Sequence, residues 1–481
     1  MPFLARLPLP VLLAMVAGLA MFVPAAHASI TDHDAIARNF LYAGLLTLIL
    51  SGMIGLATAA NPRRRQARDM LLTMLAVVAL LPLLLAVPFA ESLPDTGLFN
   101  AWWEMVSSLT TTGATLYSAD LLPMPLHLWR ALVGWMGGLF ILVAAIAILA
   151  PLRLGGFEIM APPYGRREQF GNLPGSTDAR AGLDDPNWRV IRSAQAVFPL
   201  YAGLTLILWV VLIMLGDRSI LALCRAMGTL STSGISPVIG HELATGTAGE
   251  MAVFLFLIPA LSRRFWPGGG ELRASERLID DPELKMAAGL IMLVVLFMFL
   301  RHFVAVIEAA GQPAGAGGGL AAVWGSLFNA LSYLTTTGWS SADWQGSRAW
   351  SGISAPGLIL AGLAMMGGGV ATAAGGVKLL RVYALARHGE REAERIIHPG
   401  SVAGGGRIAR RLRHEGAYLA FIFFMLFASS IAVTVMLVSL QPIEFETATI
   451  LSIAALTTTG QLAGAIPLTQ AFEASAGIAS A

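Results

Sequence analysis

Runs of about 20 apolar residues recur along the whole chain, and they constrain its fold more than any other feature. An α-helix needs about this length to cross the roughly 30 Å hydrocarbon layer of a bilayer. Of the 481 residues, 56% are hydrophobic and only 12% are charged, whereas soluble domains carry roughly a quarter charged residues. The sequence therefore predicts an all-α polytopic membrane protein. The predicted spans are 7–26, 39–60, 69–90, 127–150, 194–215, 248–261, 286–309, 355–386 and 415–440.

Arginine-rich segments separate some of these spans and predict the orientation of the chain. Four of them, 61–69, 152–193, 262–285 and 387–414, hold 22 of the 31 Lys and Arg residues. The positive-inside rule places such segments in the cytoplasm. The outward segments then carry 14 acidic residues against six arginines. This net negative charge would concentrate cations at the entrance, or it simply follows from the topology rule. The six arginines are Arg38, Arg130, Arg218, Arg225, Arg301 and Arg348.

The first 28 residues allow two interpretations. Arg6, the apolar stretch 7–23 and the sequence Ala26-His27-Ala28 are typical of a cleavable signal peptide. The alternative is a retained first helix, which we prefer because the following spans already direct the chain to the membrane. Both interpretations leave the orientation of the later spans unchanged.

Four five-residue segments, called strips 1 to 4, repeat between the spans. Their glycines are 121, 104 and 122 residues apart, and repeats of this spacing are units of a fold. Each strip has leucine first, threonine third and glycine fifth. The residue six positions before the glycine is always small: Ser107, Gly228, Ser332 or Ala454. The strips are Leu109-Thr110-Thr111-Thr112-Gly113, Leu230-Ser231-Thr232-Ser233-Gly234, Leu334-Thr335-Thr336-Thr337-Gly338 and Leu456-Thr457-Thr458-Thr459-Gly460.

A short apolar segment precedes each strip, for example 99–109 or 324–334. About a dozen residues at 1.5 Å rise each are too short to cross the bilayer, so we predict re-entrant pore helices. The order is then outer helix, pore helix, filter strand and inner helix, four times around one pore. A single Ser/Thr-Gly string would be a helix end or a turn, but four copies in matched context favour a filter.

The composition of the strips is typical of a cation filter. Backbone carbonyls can replace the hydration shell of a cation, and glycine permits the dihedral angles that point successive carbonyls the same way. Threonine adds a hydroxyl and a stiff side chain that packs behind the strand. No strip contains an acidic residue, which argues against a carboxylate-ring filter. The C-terminal ends of the pore helices would direct their negative dipole ends toward the ion path.

This pattern resembles the Trk/Ktr/HKT superfamily of potassium transporters, and within it the TrkH-type potassium uptake subunits. Residues 134–138 resemble the start of that family's first inner helix, and residues 367–378 resemble its glycine-rich gate loop. The resemblance covers about residues 5–465. It implies two extra N-terminal helices in 1–66, then pore repeats in 67–165, 190–265, 284–390 (with the gate loop) and 412–481.

The resemblance implies potassium conduction down its electrochemical gradient through a filter near the outer face. Sodium-preferring relatives often carry serine in place of the first glycine, so the four glycines here favour potassium. A sodium-selective transporter or a cation symporter is the alternative. The expected potassium-binding residues are Thr111, Thr112, Gly113, Thr232, Ser233, Gly234, Thr336, Thr337, Gly338, Thr458, Thr459 and Gly460. The expected gate residues are Gly367, Gly368, Gly369, Gly375, Gly376 and Lys378.

The gate segment is also unusual without the family. Its five glycines would loosen a helix, since each costs up to about 1 kcal/mol against alanine. Lys378 is one of two lysines in the chain and lies in or beside an apolar span, where a charge is costly and usually functional. Below the filter it would oppose cation passage until it moved. Alternatively, Lys378 and Arg381 mark the cytoplasmic end of a helix.

The expected partners follow partly from the resemblance, which implies a homodimer and a cytoplasmic nucleotide-binding regulatory subunit of the TrkA type. The basic face would also contact anionic membrane lipid. The chain has no Walker motif and no Gly-x-Gly-x-x-Gly after a strand, so nucleotide control would come from a partner. We expect no cofactor, with potassium as the substrate, and no nucleic acid. The expected location is the cell inner membrane.

A membrane-embedded enzyme is the rival class, and the sequence does not favour it. The eight histidines form no His-Glu-x-x-His pattern, and the single cysteine, Cys224, permits neither an internal disulfide nor a thiolate metal cluster.

Strip 4 continues with Gln461 and strip 2 with Ile235, so the four sites around the axis are expected to differ. Only 21 residues follow Gly460. Repeat 4 is therefore expected to lack its inner helix, and with it the arginine that the family places there.

Overall fold

The computed structural model describes residues 7–59, 67–94, 96–152, 154–157, 186–237, 245–267, 278–308, 316–352, 357–398 and 414–465. Within these ranges the regular structure is entirely helical, and the predicted all-α polytopic class is confirmed. The α-helices are α1 Leu9–Ala20, α2 Phe22–Ile30, α3 Asp34–Ala59, α4 Ala67–Ala90, α5 Leu98–Leu109, α6 Met124–Ala144, α7 Pro186–Met214, α8 Ser219–Leu230, α9 Gly246–Leu257, α10 Pro282–Glu308, α11 Ala316–Leu334, α12 Trp344–Ser351, α13 Gly357–Met366, α14 Leu379–Ile397, α15 His414–Val438 and α16 Phe445–Leu456.

Seven helical segments of the described chain are long and apolar enough to cross a membrane. Much of the arginine-rich segments, and all of residues 466–481, lie outside the described residues, so the expectations placed there remain expectations. The seven segments are Leu9–Ile30, Asp34–Thr58, Met70–Ala90, Met124–Leu149, Asn187–Met214, Pro282–Arg301 and Gly416–Val438.

Two predicted spans, 248–261 and 355–386, do not form continuous crossing helices. The first is the 12-residue α9 followed by a tight turn, Ile258–Leu261, which contains Pro259. Proline has no N–H for the helix ladder, so the helix ends there. The second is split into α13 and α14 by the glycine-rich segment 367–378. The mean hydropathy of residues 355–386 does not reveal this break. Glycine and alanine both count as apolar, although glycine destabilises a helix relative to alanine.

Four helices, α5, α8, α11 and α16, each end at the leucine that opens a strip, and we call them the pore helices. Three have the predicted dozen residues, and α5 begins one residue before the predicted 99–109. The third, α11, has 19 residues and begins eight residues before the predicted 324–334. Its glycine-rich first turns, from Ala316 to Gly319, do not look helical in sequence, which explains the error.

Helix α6 lies against the ends of two pore helices, and its glycines make this approach possible. A methyl group added at Gly137 would lie 2.0 Å from the carbonyl oxygen of Leu109. One added at Gly138 would lie 2.8 Å from the Cα of Ser231. Only a residue without Cβ permits such backbone contact. The motif at 134–138 therefore fixes the first inner helix against strips 1 and 2.

Buried ion pairs connect the pore helices to neighbouring segments. Arg130 on α6 lies 2.5 Å from Glu104 on α5, and both side chains are almost fully buried. Glu104 also accepts a hydrogen bond from the backbone N–H of Leu116, just beyond strip 1. Arg225 on α8 pairs with Asp217 at 2.7 Å, also in the interior. These pairs neutralise two of the arginines that sequence placed on the outer side.

We predict that Glu104→Gln will destabilise the protein by about 3–5 kcal/mol, because it leaves the buried Arg130 without a counter-charge. The exposed pair of Arg387 and Glu390 on α14 provides a control. Glu390→Gln should cost at most about 1 kcal/mol. Heating in detergent, with the monodisperse fraction measured by size-exclusion chromatography, compares the two variants. Equal losses in both would contradict a stabilising role for the Glu104 pair.

Candidate functional site

The four strips share one unusual backbone conformation. The third residue of each is a threonine with positive φ: 59° at Thr111, 54° at Thr232, 57° at Thr336 and 56° at Thr458. A left-handed conformation costs a residue with a Cβ about 1–2 kcal/mol. Such strain persists only where the surrounding structure imposes it, typically at functional sites. The same rare conformation at four equivalent positions shows that the strips are one structural element in four copies.

Backbone hydrogen bonds to one carbonyl of the pore helix accompany this path in all four strips. In strip 1 the carbonyl of Ser107 accepts from the N–H groups of Thr112 and Gly113, at 2.9 and 3.2 Å. Gly228 and Ser332 accept the equivalent pairs in strips 2 and 3, whereas Ala454 accepts only the first, from Thr459. These acceptors are the small residues found six positions before each glycine.

The size limit has a direct cause at one of these positions. A methyl group added at Gly228 would lie 2.8 Å from the carbonyl oxygen of Ile235, just beyond strip 2. At the equivalent place in repeat 1, the hydroxyl of Ser107 donates to the carbonyl of Ala114 at 2.6 Å. In repeats 1 and 2 the chain beyond the glycine thus folds back over the end of the pore helix, leaving room for small side chains only.

Hydroxyl groups at the second and fourth positions tie each strip to its pore helix. The two hydroxyls hydrogen-bond to each other at 2.8–3.1 Å in all four strips. The second-position hydroxyl also donates to the carbonyl four residues earlier, on the last turn of the pore helix. Serine replaces threonine at both positions of strip 2 without loss of these bonds. The hydroxyls therefore stabilise the strips from behind.

The strips contact one another in chain order around a closed ring. A methyl group added at Gly113 would lie 2.0 Å from the carbonyl oxygen of Ser233, and one at Gly234 would lie 2.1 Å from that of Thr337. Gly338 lies against the side chain of Gln461. The ring closes where strip 4 meets strip 1, because the N–H of Gly460 donates to the carbonyl of Thr112 at 2.7 Å.

A cavity of about 550 Å³ opens onto this ring, and all four strip glycines line it. Its described lining contains three arginines, Arg130, Arg225 and Arg348, and no carboxylate. The net negative charge predicted for the entrance therefore does not line this cavity within the described part of the chain. Two of the acidic residues counted there, Glu104 and Asp217, lie in buried ion pairs instead.

Strip 4 departs from the others at its glycine. Gly113, Gly234 and Gly338 have φ between 61° and 78°, whereas Gly460 does not have positive φ and begins a short helical turn, Gly460–Ala465. Gln461 lies on this turn and points into the ring. Its Nε2 donates to the carbonyls of Gly113 and Gly234, at 3.3 and 2.9 Å. These two oxygens therefore face a common point at the mouth of the ring.

The gate segment 367–378 lies directly against strips 3 and 4. The N–H of Gly375 donates to the hydroxyl of Thr336 at 2.7 Å. A methyl group added at Gly375 would lie 2.0 Å from the carbonyl oxygen of Thr457. Neither Gly375 nor Thr336 lines the cavity, so the segment contacts the ring on another side.

Hydrogen bonds close the gate segment on itself and hold it to two helices. The half-buried Lys378 has φ of 85°, and its Nζ donates to the carbonyls of Ala374 and Thr372. The N–H of Val370 donates to the carboxylate of Glu283, at the start of α10, at 2.7 Å. At its first end, the N–H of Gly369 donates to a carbonyl in the turn after α9. The sequence singled out Lys378 but not Glu283.

Glu250 on α9 is a second buried acid that sequence reasoning missed. Its carboxylate accepts from Trp324 Nε1 on pore helix α11, from the hydroxyl of Ser341, and from the backbone N–H of the following residue, each at 2.7 Å. It thereby holds the chain that follows strip 3. Acidic residues within apolar segments are costly and usually functional. That signal could have identified Glu104, Glu250 and Glu283.

We predict that Gly113→Ala will abolish cation flux through the ring, because φ is 74° and the new methyl group would overlap the Ser233 carbonyl. Gly346 on α12 is the matched control, since a methyl group there has nothing within 4 Å. Gly346→Ala should leave flux unchanged and stabilise α12 by about 0.5–1 kcal/mol. Flux into liposomes measures both variants, and normal flux in Gly113→Ala would contradict this role for the glycine.

Comparisons with known proteins are consistent with this geometry. A family model described as "TrkH: Cation transport protein" matches residues 284–477. The Trk system potassium uptake protein TrkH of Halomonas elongata is 28% identical over 407 residues, which cover 81% of this chain and 76% of that protein. TrkH of Escherichia coli K12 is 26% identical over 381 residues, covering 77% and 72%.

The fold also has a solved counterpart. The crystal structure of the potassium transporter TrkH from Vibrio parahaemolyticus matches with a TM-score of 0.71 and 21% identity. The match covers 98% of this chain and 100% of that chain. At 21% identity it is evidence for the fold alone. The family match falls on repeats 3 and 4, and the relatives extend the likeness over most of the chain. Over most of its length the chain is therefore similar to the TrkH potassium uptake proteins, and residues 284–477 match the model of the TrkH cation transport proteins.

Proposed function

We propose that this chain is the pore-forming subunit of a Trk-type potassium uptake system in the cell inner membrane. The observation that carries the proposal is the closed ring of four strips, whose glycines all line one cavity. A ring of backbone carbonyls can replace the water shell of a cation. The relatives' names supply the ion, since they are potassium uptake proteins.

Neutral oxygen ligands suit this function. The proposed potassium-binding residues are the third, fourth and fifth of each strip, and none is acidic. The carbonyls of Gly113 and Gly234 converge on one atom, Gln461 Nε2, which supports a binding point between strips rather than on one of them. The hydroxyls at the fourth position are already bonded to those at the second, so the backbone would supply most ligands.

We predict that the purified chain in liposomes will conduct potassium and its congener rubidium much better than sodium. Radioactive rubidium uptake, driven by an outward potassium gradient and competed with external potassium or sodium, measures this. Potassium should suppress uptake at far lower concentration than sodium. Absence of uptake would overturn the pore assignment, and equal suppression by sodium would overturn the potassium assignment.

The gate proposal rests on segment 367–378 and on the position of Lys378. The segment contacts strips 3 and 4 away from the cavity, so a cation leaving the ring would meet it next. Lys378 is half-buried there and hydrogen-bonded to the segment's own carbonyls. A fixed positive charge close to the path raises the free energy of a passing cation. Movement of the segment would remove both the obstruction and the charge.

We predict that Lys378→Met will raise potassium flux severalfold, because it removes the charge and the bonds that close the segment. The only other lysine of the chain is the matched control. Lys285 is exposed and pairs with Asp280 at 3.4 Å, so Lys285→Met should leave flux unchanged. Rubidium uptake per folded protein compares the two. Unchanged or reduced flux in Lys378→Met would contradict the gate role.

We further propose a homodimer and a cytoplasmic nucleotide-binding regulatory subunit of the TrkA type. The relatives are named as members of a Trk system, which supports more than one component. Helix α15 supports a partner surface or a lipid contact, since only 6% of its apolar span is buried within the chain. The regulatory subunit would act on the arginine-rich cytoplasmic face, where it could reach the gate segment through α14 or α10.

A further inference from the structure

Gln461 reaches the glycines of the three other strips with one side chain. Its Nε2 donates to the carbonyl oxygen of Gly234 at 2.9 Å and to that of Gly113 at 3.3 Å. Its Cβ lies where a methyl group on Gly338 would come within 2.5 Å. The side chain therefore crosses the mouth of the ring and lines the cavity above it.

The residues at the same position in the other strips make no such crossing. Ala114, Ile235 and Trp339 follow the glycines of strips 1 to 3, and none carries an amide. The short helical turn that begins at Gly460 brings Gln461 over the ring. Strip 4 thus differs from the other strips in placing a single side-chain hydrogen-bond donor, Gln461 Nε2, at the mouth of the ring.

A donor at this place competes with a cation. A carbonyl oxygen that accepts from an amide N–H presents its lone pair to a partial positive charge, which is also how it would bind potassium. Two oxygens converge on Nε2, so the amide nitrogen occupies the point where the outermost cation would sit. A permeant ion must displace the amide to use these oxygens.

We propose that Gln461 is a built-in competitor of the permeant cation, occupying the outermost binding point until an ion displaces it. The inference rests on the proposed potassium pore and adds a residue that sets its apparent affinity. Glutamine suits this role because its amide carries a donor and an acceptor side by side. Rotation about the last side-chain bond replaces Nε2 by Oε1, so the same residue can leave the carbonyls and offer an oxygen to the arriving ion.

The main test is Gln461→Met, which keeps the length of the side chain but removes the donor. Rubidium uptake into liposomes is measured against external rubidium concentration. The half-saturating concentration should fall about tenfold, because the apparent affinity of the parent is the intrinsic affinity multiplied by the fraction of protein whose site is free of the competitor. Tenfold corresponds to about 1.4 kcal/mol, the net free energy with which the two hydrogen bonds would hold the amide in the site.

Gln345 provides the control, since it is an exposed glutamine on the wall of the same cavity, at the start of α12. Gln345→Met should leave the half-saturating concentration unchanged. A second variant, Gln461→Glu, keeps the shape but offers only acceptors, which repel the two carbonyls. It should therefore also lower the half-saturating concentration.

The outcomes separate competition from packing. If Gln461 only fills space, methionine should behave like glutamine, and an unchanged half-saturating concentration in Gln461→Met would overturn the inference. An increased half-saturating concentration in Gln461→Met would overturn it as well, whatever Gln461→Glu does, because it would make the amide oxygen a ligand and not a competitor. If the parent and every variant fail to take up rubidium while remaining monodisperse, the proposed pore itself is overturned. Uptake by the parent with no shift in the variants leaves the pore intact and rejects only the competitor.

Discussion

The site depends on one carbonyl group in each repeat, that of the residue six positions before the glycine. This carbonyl accepts two N–H groups in strips 1 to 3 and one in strip 4, and in every strip the intervening threonine has a left-handed conformation. Backbone outside a helix cannot face lipid, so its polar groups must be satisfied within the protein or in a cavity. The two bonds satisfy the N–H groups from behind and leave carbonyl oxygens for the centre of the ring. The proposed cation binding by the strips depends on this arrangement, in which the N–H groups are bonded within the protein and the carbonyl oxygens are left for the ring.

The four strips contact one another around a closed ring, but the groups that make these contacts differ between strips 1 to 3 and strip 4. Strips 1 to 3 meet their neighbours through a glycine with positive φ, whereas strip 4 meets strip 1 through the N–H of Gly460. One bond of the double motif is therefore exchanged for an inter-strip bond, and Gln461 is carried over the mouth as a result. The departure of strip 4 thus brings one side-chain amide, that of Gln461, onto the carbonyls of Gly113 and Gly234.

The sequence predicted the repeated parts well because they depend on local chemistry. The strips, the small residue before each, and the ends of the pore helices are all encoded within about a dozen residues. What the sequence did not predict is how residues far apart in the chain contact one another. The hydropathy span at 355–386 was wrong as one continuous helix, whereas the loosening expected from its glycines is confirmed by the break after Met366 and the positive φ of Gly367 and Gly376. The contacts of Glu283 and Gln461 join residues 87 and more than 200 positions apart, and no periodicity reports such pairs.

The hydroxyl of Thr336 belongs to strip 3 yet accepts a hydrogen bond from the gate segment. The two parts therefore share an atom, and neither can change its state without altering the free energy of the other. Linkage makes this relation reciprocal. If an ion in the ring favours one position of the segment, that position must favour the ion by the same factor. Under the proposed function, occupancy of the ring and closure of the segment then form a single equilibrium, in which external potassium would act both as cargo and as an effector.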